Sequence, residues 1–140
     1  MEIKVKRFDK TLPLPDYEKG AACFDLPCRE STTIQPKEIK LIPLNVSVQI
    51  PEGFALLVFA RSSTPWKKGL LVANSVGIVD PFYRGDKDEV LIELLNFSDK
   101  EVQIEKGELL AQGMIVKYET ATWSEVNAMG EEGSGGYKQD

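Results

Sequence analysis

Histidine is absent from the 140 residues. That absence removes every Ser-His-Asp and Cys-His mechanism and leaves carboxylates, Tyr, Lys or a carboxylate-held metal to move protons. Cysteine is scarce: Cys23 and Cys28 are too few for a disulfide framework and, without histidine, cannot complete a four-ligand zinc site. Both are read as reduced, structural thiols. No apolar run is long enough for a bilayer span, and the opening MEIKVKRFDK lacks the apolar block of a secretory signal. A soluble protein without a membrane partner is expected, either cytoplasmic or with its targeting segment absent. Cationic excess is also missing, since 17 Lys and Arg against 22 Asp and Glu give a net charge of −5, which speaks against general nucleic-acid binding. The deficit is local. Residues 101–140 hold 3 basic and 8 acidic side chains, and the rest of the chain is balanced with 14 of each. An anionic small ligand therefore remains compatible with a site near Arg61, Lys67, Lys68 and Arg84.

What is present is enough for one core. At 42% apolar and 28% charged, a chain of this length folds as a single domain that hides roughly 70% of its extended surface. Strand signals dominate. Leu44 to Ile50 alternates apolar and polar residues without a miss, the period of a half-buried strand. Pro51-Glu52-Gly53 signals a turn, and Phe54 to Ala60 reads as a strand buried on both faces, so the two runs are expected to pair as a hairpin. Shorter runs follow at Gly69–Val72, Val90–Phe97, Val102–Ile104 and Leu109–Lys117. No stretch sustains a capped 3.6-residue period. Many short strands imply an all-β sandwich, jelly roll or barrel. Residues 1–129 are read as this domain and 130–140, with four glycines and almost no apolar content, as a mobile tail.

The chemistry-bearing residues are densest between Ala60 and Asp86. Arg61-Ser62-Ser63 follows a buried strand, which brings a guanidinium and two hydroxyls to a strand end, an arrangement suited to phosphate oxygens. Taken alone it is also a polar turn. Asp80-Pro81 after Val76, Ile78 and Val79 is a strand-ending turn by itself, and Tyr83-Arg84-Gly85 an aromatic plug beside a glycine turn. Their co-occurrence in one segment favours a site.

At these residues the chain resembles the trimeric dUTPase family, marked by five motifs spread over nearly the whole sequence. Ala21-Ala22-Cys23-Phe24-Asp25-Leu26 is similar to the first, with Cys23 in a glycine place, and Ala60-Arg61-Ser62-Ser63 to the second, with Ala60 replacing proline. Asn74-Ser75-Val76-Gly77-Ile78-Val79-Asp80-Pro81-Phe82-Tyr83-Arg84-Gly85 matches the third most closely. Gly107-Glu108-Leu109-Leu110-Ala111-Gln112 resembles the fourth. The fifth is partial: Gly133-Ser134-Gly135-Gly136-Tyr137, with Glu132 where the family keeps arginine.

The resemblance implies a homotrimer of distorted jelly-roll β-barrel subunits with sites at subunit junctions, and Mg²⁺-dependent hydrolysis of dUTP to dUMP and pyrophosphate. It implies that Asp80 activates the attacking water, an acceptable base in a chain without histidine. It places the Tyr83 ring against the deoxyribose, Asn74 and the backbone of Gly77 and Val79 in the same hairpin on the uracil edge, and Ser62, Ser63 and Gln112 on phosphates. Arg61 is either a phosphate ligand or a structural ion-pair partner. Asp25 would hold waters on a Mg²⁺ bound mainly by the triphosphate, and Tyr137 would stack on uracil. Outside the resemblance, Asp25 is a turn aspartate and Gln112 a sheet-edge residue. Trp66 and Trp123 are assigned to packing or subunit contact.

Two alternatives stand beside this reading. Glu93 resembles the place of the catalytic glutamate in dCTP deaminases, although Trp66 stands where those proteins keep an arginine; otherwise Glu93 is a polar strand residue, at the trimer axis if a trimer forms. The altered fifth motif suggests a nucleotide-binding or regulatory relative without turnover.

Overall fold

A computed structural model describes residues 1–133 and 135–136. In the described residues the strands are Val5–Arg7 (β1), Phe24–Pro27 (β2), Thr32–Ile34 (β3), Ile39–Pro43 (β4), Val46–Val48 (β5), Phe54–Ala60 (β6), Leu70–Val72 (β7), Gly77–Val79 (β8), Leu91–Asn96 (β9), Val102–Ile104 (β10) and Leu109–Lys117 (β11), with one short helix, Thr64–Lys68 (α1). No described helix is long and apolar enough to cross a membrane. The strands form a four-stranded sheet in the order β2-β11-β6-β8, a three-stranded sheet β4-β9-β7, and two ribbons, β1-β5 and β10-β3. All pairs are antiparallel. This is the all-β, distorted jelly-roll architecture that the strand pattern and the motifs anticipate.

The FALLVFA run becomes β6 because it lies between two partners. It pairs with β11 along its whole length, Phe54 opposite Lys117 through Ala60 opposite Ala111, and with β8 on its other edge. Its Leu56 and Val58 are fully buried and join Leu26, Ile42, Leu44, Leu94 and Ile104 in the core. Gly113 in β11 faces the same core. A β-carbon there would stand 2.7 Å from Phe24 Cζ and 2.8 Å from Leu56 Cδ1, so the aromatic ring of β2 packs where any larger residue would sit.

The hairpin expected between Leu44–Ile50 and Phe54–Ala60 does not form. β5 pairs with β1, Val48 opposite Val5, while both edges of β6 are taken by β11 and β8. Pro51-Glu52-Gly53, with Gly53 at φ 81° and Phe54 N–H donating to Pro51 O at 3.2 Å, carries the chain from one sheet to another. The alternation of Leu44–Ile50 also fails to mark a wet face. Asn45 and Ser47 are buried because their polar atoms are paired: Asn45 Nδ2 donates to Asp9 O at 3.0 Å, Asn45 Oδ1 accepts from Asp9 N–H at 2.7 Å, and Ser47 Oγ donates to Gly85 O at 2.6 Å. A polar residue whose hydrogen bonds are all made inside loses its reason to face water. Among the described residues no buried side-chain nitrogen or oxygen lacks a partner.

The cysteines are both free. Burial pushes the Cys28 thiol up to about 12, with Glu108 nearby adding to the shift, so it stays protonated and inert. Trp66 and Trp123 are 76% and 94% exposed, which rules out packing within the chain for either ring.

Candidate active site

β7 ends at Val72 and β8 begins at Gly77, but the two do not pair: β7 adds to β9 and β8 to β6. The expected hairpin around Asn74 is therefore a turn between sheets. Ala73 N–H donates to Glu93 O at 2.9 Å, Ser75 N–H to Val72 O at 3.1 Å and Val76 N–H to Asn74 O at 2.8 Å, with Ser75 at φ 67°. Two sheets must each have their edges satisfied, and the turn that joins them opens a space between them.

That space is a cavity of about 270 Å³. Its wall holds Asn74, Gly77, Val79, Asp80 and Tyr83 together with Leu41, Val90, Ile92 and Glu93. The structure thus brings together six of the residues singled out from the sequence, Glu93 among them. After β8 a turn closed by Tyr83 N–H on Asp80 O at 3.0 Å folds Asp80 and Tyr83 back to one side. Asp80 is half-buried and belongs to none of the ion pairs among the described residues. The Tyr83 hydroxyl donates to Glu89 O at 2.8 Å, and burial first, then the neighbouring Asp88 and Glu89 carboxylates, raise its pKa above the ordinary phenol value. The ring therefore stays a neutral, anchored wall. A second cleft of about 250 Å³ on the other side of Asp80 is lined by Glu52, Pro81, Phe82, Arg84 and Tyr118.

The other sequence-selected residues form a second group that does not line this cavity. Asp25 in β2 lies opposite Gln112 in β11, which lies opposite Phe59 in β6. Because Phe24 and Leu26 point into the core, Asp25 between them points the other way, as strand alternation requires. Arg61, one residue past β6, reaches it with Nε 2.8 Å from Asp25 Oδ1. The pair is partly exposed, 35% and 25%. Gln112 Nε2 donates to Ala60 O at 3.0 Å. The Arg61–Thr64 turn is pinned to β11 by Arg61 N–H on Leu110 O at 3.0 Å and by the buried Thr64 hydroxyl on the same carbonyl at 2.8 Å. Ser62 is exposed and Ser63 half-buried; Ser63 caps α1 by position but makes no side-chain cap bond, so its hydroxyl is not spent on the helix.

Three residues that the sequence reading passed over belong to this framework: Thr64, Glu89 and Arg29. Thr64 was signalled only by its place after two serines and before a proline. Glu89 and Arg29, 60 positions apart, carried no local signal. Tyr137 and Ser134 lie outside the described residues.

A family model described as dUTPase matches residues 9–139. The deoxyuridine 5′-triphosphate nucleotidohydrolase of Rickettsia prowazekii is 37% identical over 143 residues, covering 98% of this chain and 95% of that protein. The crystal structure of the dUTPase from Streptococcus mutans is similar with a TM-score of 0.79 at 32% identity, over 88% of this chain and 100% of that one. A mutant dUTPase of Staphylococcus bacteriophage 80alpha with dUpNHpp is similar with a TM-score of 0.84 at 25% identity, over 99% of this chain and 95% of that one.

Proposed function

The chain belongs to the dUTPase family, and we propose from that premise that it hydrolyses dUTP to dUMP and pyrophosphate with Asp80 as the base. The observation that carries the roles is that Asp80, Tyr83 and Asn74 line one cavity in a chain without histidine. Asp80 takes the proton of a water whose oxygen attacks the α-phosphorus, the bond to the bridging oxygen of the β-phosphate breaks, and pyrophosphate leaves. The Tyr83 ring excludes a 2′-hydroxyl by occupying its space. Asn74, with a side-chain amide that both donates and accepts, and the Gly77 and Val79 backbone read the uracil edge.

Phosphate is assigned to Ser62, Ser63, Gln112 and Arg61. In one chain these lie apart from the nucleoside cavity, which supports a site completed between copies in a homotrimer. Further support comes from the face of the β4-β9-β7 sheet beside the cavity, where Ile39, Leu41, Leu71 and Leu91 are solvent-facing around Glu93, an exposed group of large apolar side chains that calls for a partner.

Magnesium fits this donor set as a substrate-borne ion. No group of three or more His, Cys, Asp or Glu side chains among the described residues could cage a metal, and Asp25, with one oxygen on Arg61, is suited to accept hydrogen bonds from metal-bound water. Mg²⁺ supplies charge neutralisation to the triphosphate. Glu93 lines the same cavity, which keeps deamination of dCTP as the second reading.

The test is to incubate the protein with dUTP, dCTP or UTP, with and without Mg²⁺, and to follow pyrophosphate and ammonia separately. Mg²⁺-dependent pyrophosphate from dUTP is expected. Orthophosphate as first product, or ammonia from dCTP as the main activity, overturns the reading.

A further inference from the structure

Tyr83 does not hold its own position. Its hydroxyl is bound by the backbone carbonyl of Glu89 at 2.8 Å, so the place of the ring depends on what fixes Glu89. Glu89 is 8% exposed, and a buried carboxylate persists only when its charge and lone pairs are met. Here they are met twice. Arg29 grips it with both arms, Nε on Oε1 at 2.7 Å and Nη2 on Oε2 at 3.0 Å, and the Asn45 N–H donates to Oε1 at 2.9 Å. The same hydrogen bonds to Glu89 raise the pKa of Arg29.

The chain between the two residues is tied as well. Asp88 Oδ2 accepts from Gly85 N–H at 2.7 Å, and Ser47 Oγ donates to Gly85 O at 2.6 Å. Downstream, Val90 N–H donates to Val46 O at 2.8 Å. The loop from Tyr83 to Val90 is therefore anchored to β5 at two points and to Arg29 at a third, and Glu89 is where these anchors meet the ring.

We propose that Glu89, clamped by Arg29, is a positioning residue that sets how far the Tyr83 ring reaches into the nucleoside cavity and thereby tunes selection of deoxyribose over ribose. This rests on the dUTP reading above and adds to it a determinant, Arg29, that lies 60 positions from Glu89 in sequence. Arginine is suited to the task because its planar fork fixes the carboxylate in two directions, whereas lysine would hold it at one point. Steric exclusion of a hydroxyl depends on sub-ångström placement of the ring, so loosening the clamp relaxes selection before it removes turnover.

The experiment compares wild type with Tyr83→Phe, Glu89→Gln and Arg29→Lys, each conservative in volume, and measures kcat/KM for dUTP and for UTP. Each variant is expected to lower the dUTP:UTP ratio roughly two- to tenfold, the worth of one net hydrogen bond, through a lower KM for UTP. The Tyr83→Phe/Glu89→Gln double variant should fall no further than Tyr83→Phe alone, because both break one linkage. Equal losses on both substrates with an unchanged ratio, or additive losses in the double variant, overturn the proposal. A substrate-free readout separates its failure from that of the functional reading. The Tyr83 ring resonances, assigned by their loss in Tyr83→Phe, should shift or broaden in Glu89→Gln and Arg29→Lys. If they do not move, the clamp does not position the ring; if they move in a protein that releases no pyrophosphate from dUTP, the functional reading falls and the linkage stands.

Discussion

Arg61 Nε and Asp25 Oδ1 stand 2.8 Å apart across β11, so that the end of β6 and the middle of β2 are joined by charge over the strand that carries Gln112. The guanidinium thereby orients one carboxylate oxygen and leaves the other outside the pair. Both side chains remain partly exposed, so the pair contributes less to stability than to the orientation of its members.

Asp25→Asn tests that orientation. With the charge removed, the magnesium concentration giving half-maximal turnover of dUTP should rise about tenfold or more, the usual cost of losing an outer-shell partner of a metal. A magnesium titration at saturating dUTP checks it. An unchanged midpoint would place Asp25 in the structural pair alone.

Asp80→Asn should preserve the fold and much of the nucleotide binding while removing the base. Turnover is expected to drop by about 10² to 10⁴, read as kcat with KM for dUTP little changed. A loss smaller than about tenfold would move the proton transfer to another group.

Gly113→Val places carbon where Phe24 and Leu56 already stand, at 2.7 and 2.8 Å from the first added atom. Overpacking of this kind costs about 1–3 kcal/mol, so the urea midpoint should fall without a change in slope. An unaltered midpoint would mean that the Phe24 ring has room to retreat.

Acid should weaken the fold partly through Asp9. Its carboxyl is held well below the ordinary value of 3.8, first by the hydrogen bond from Lys106 and then by the Thr11 hydroxyl and amide. A depressed carboxylate contributes stability above its unfolded pKa and loses it as pH falls through the folded value. The urea midpoint of the wild type should therefore decline below about pH 4, and Asp9→Asn should show a shallower decline. Parallel curves would locate the acid sensitivity elsewhere.

How much of this was legible depended on whether a contact is local. Asn74 to Gly85 is one uninterrupted segment, and its residues come together because two turns on either side of one short strand fold them around the same space. The second group is not of that kind. Asp25, Arg61 and Gln112 meet only through the order β2-β11-β6, and period-2 alternation says which face a residue takes without saying which strand lies beside it. The same limit produced the expected pairing of Leu44–Ile50 with Phe54–Ala60: two apolar runs around a Pro-Gly turn fit a hairpin, and nothing in either run reveals that β1 and β11 compete for their edges. Arg29 and Glu89 were silent for another reason. In sequence they are ordinary charged residues, and only the burial of Glu89 makes the pair obligatory.

The exposure of Trp66 and Trp123 also has an optical use. They are the only tryptophans in the chain, and both indoles face solvent in the single subunit, so an isolated chain emits with the long-wavelength spectrum of an indole in water. Any contact between copies that covers either ring shifts that emission to shorter wavelength. Where assembly covers either ring, a dilution series without nucleotide follows it by that shift and needs no label.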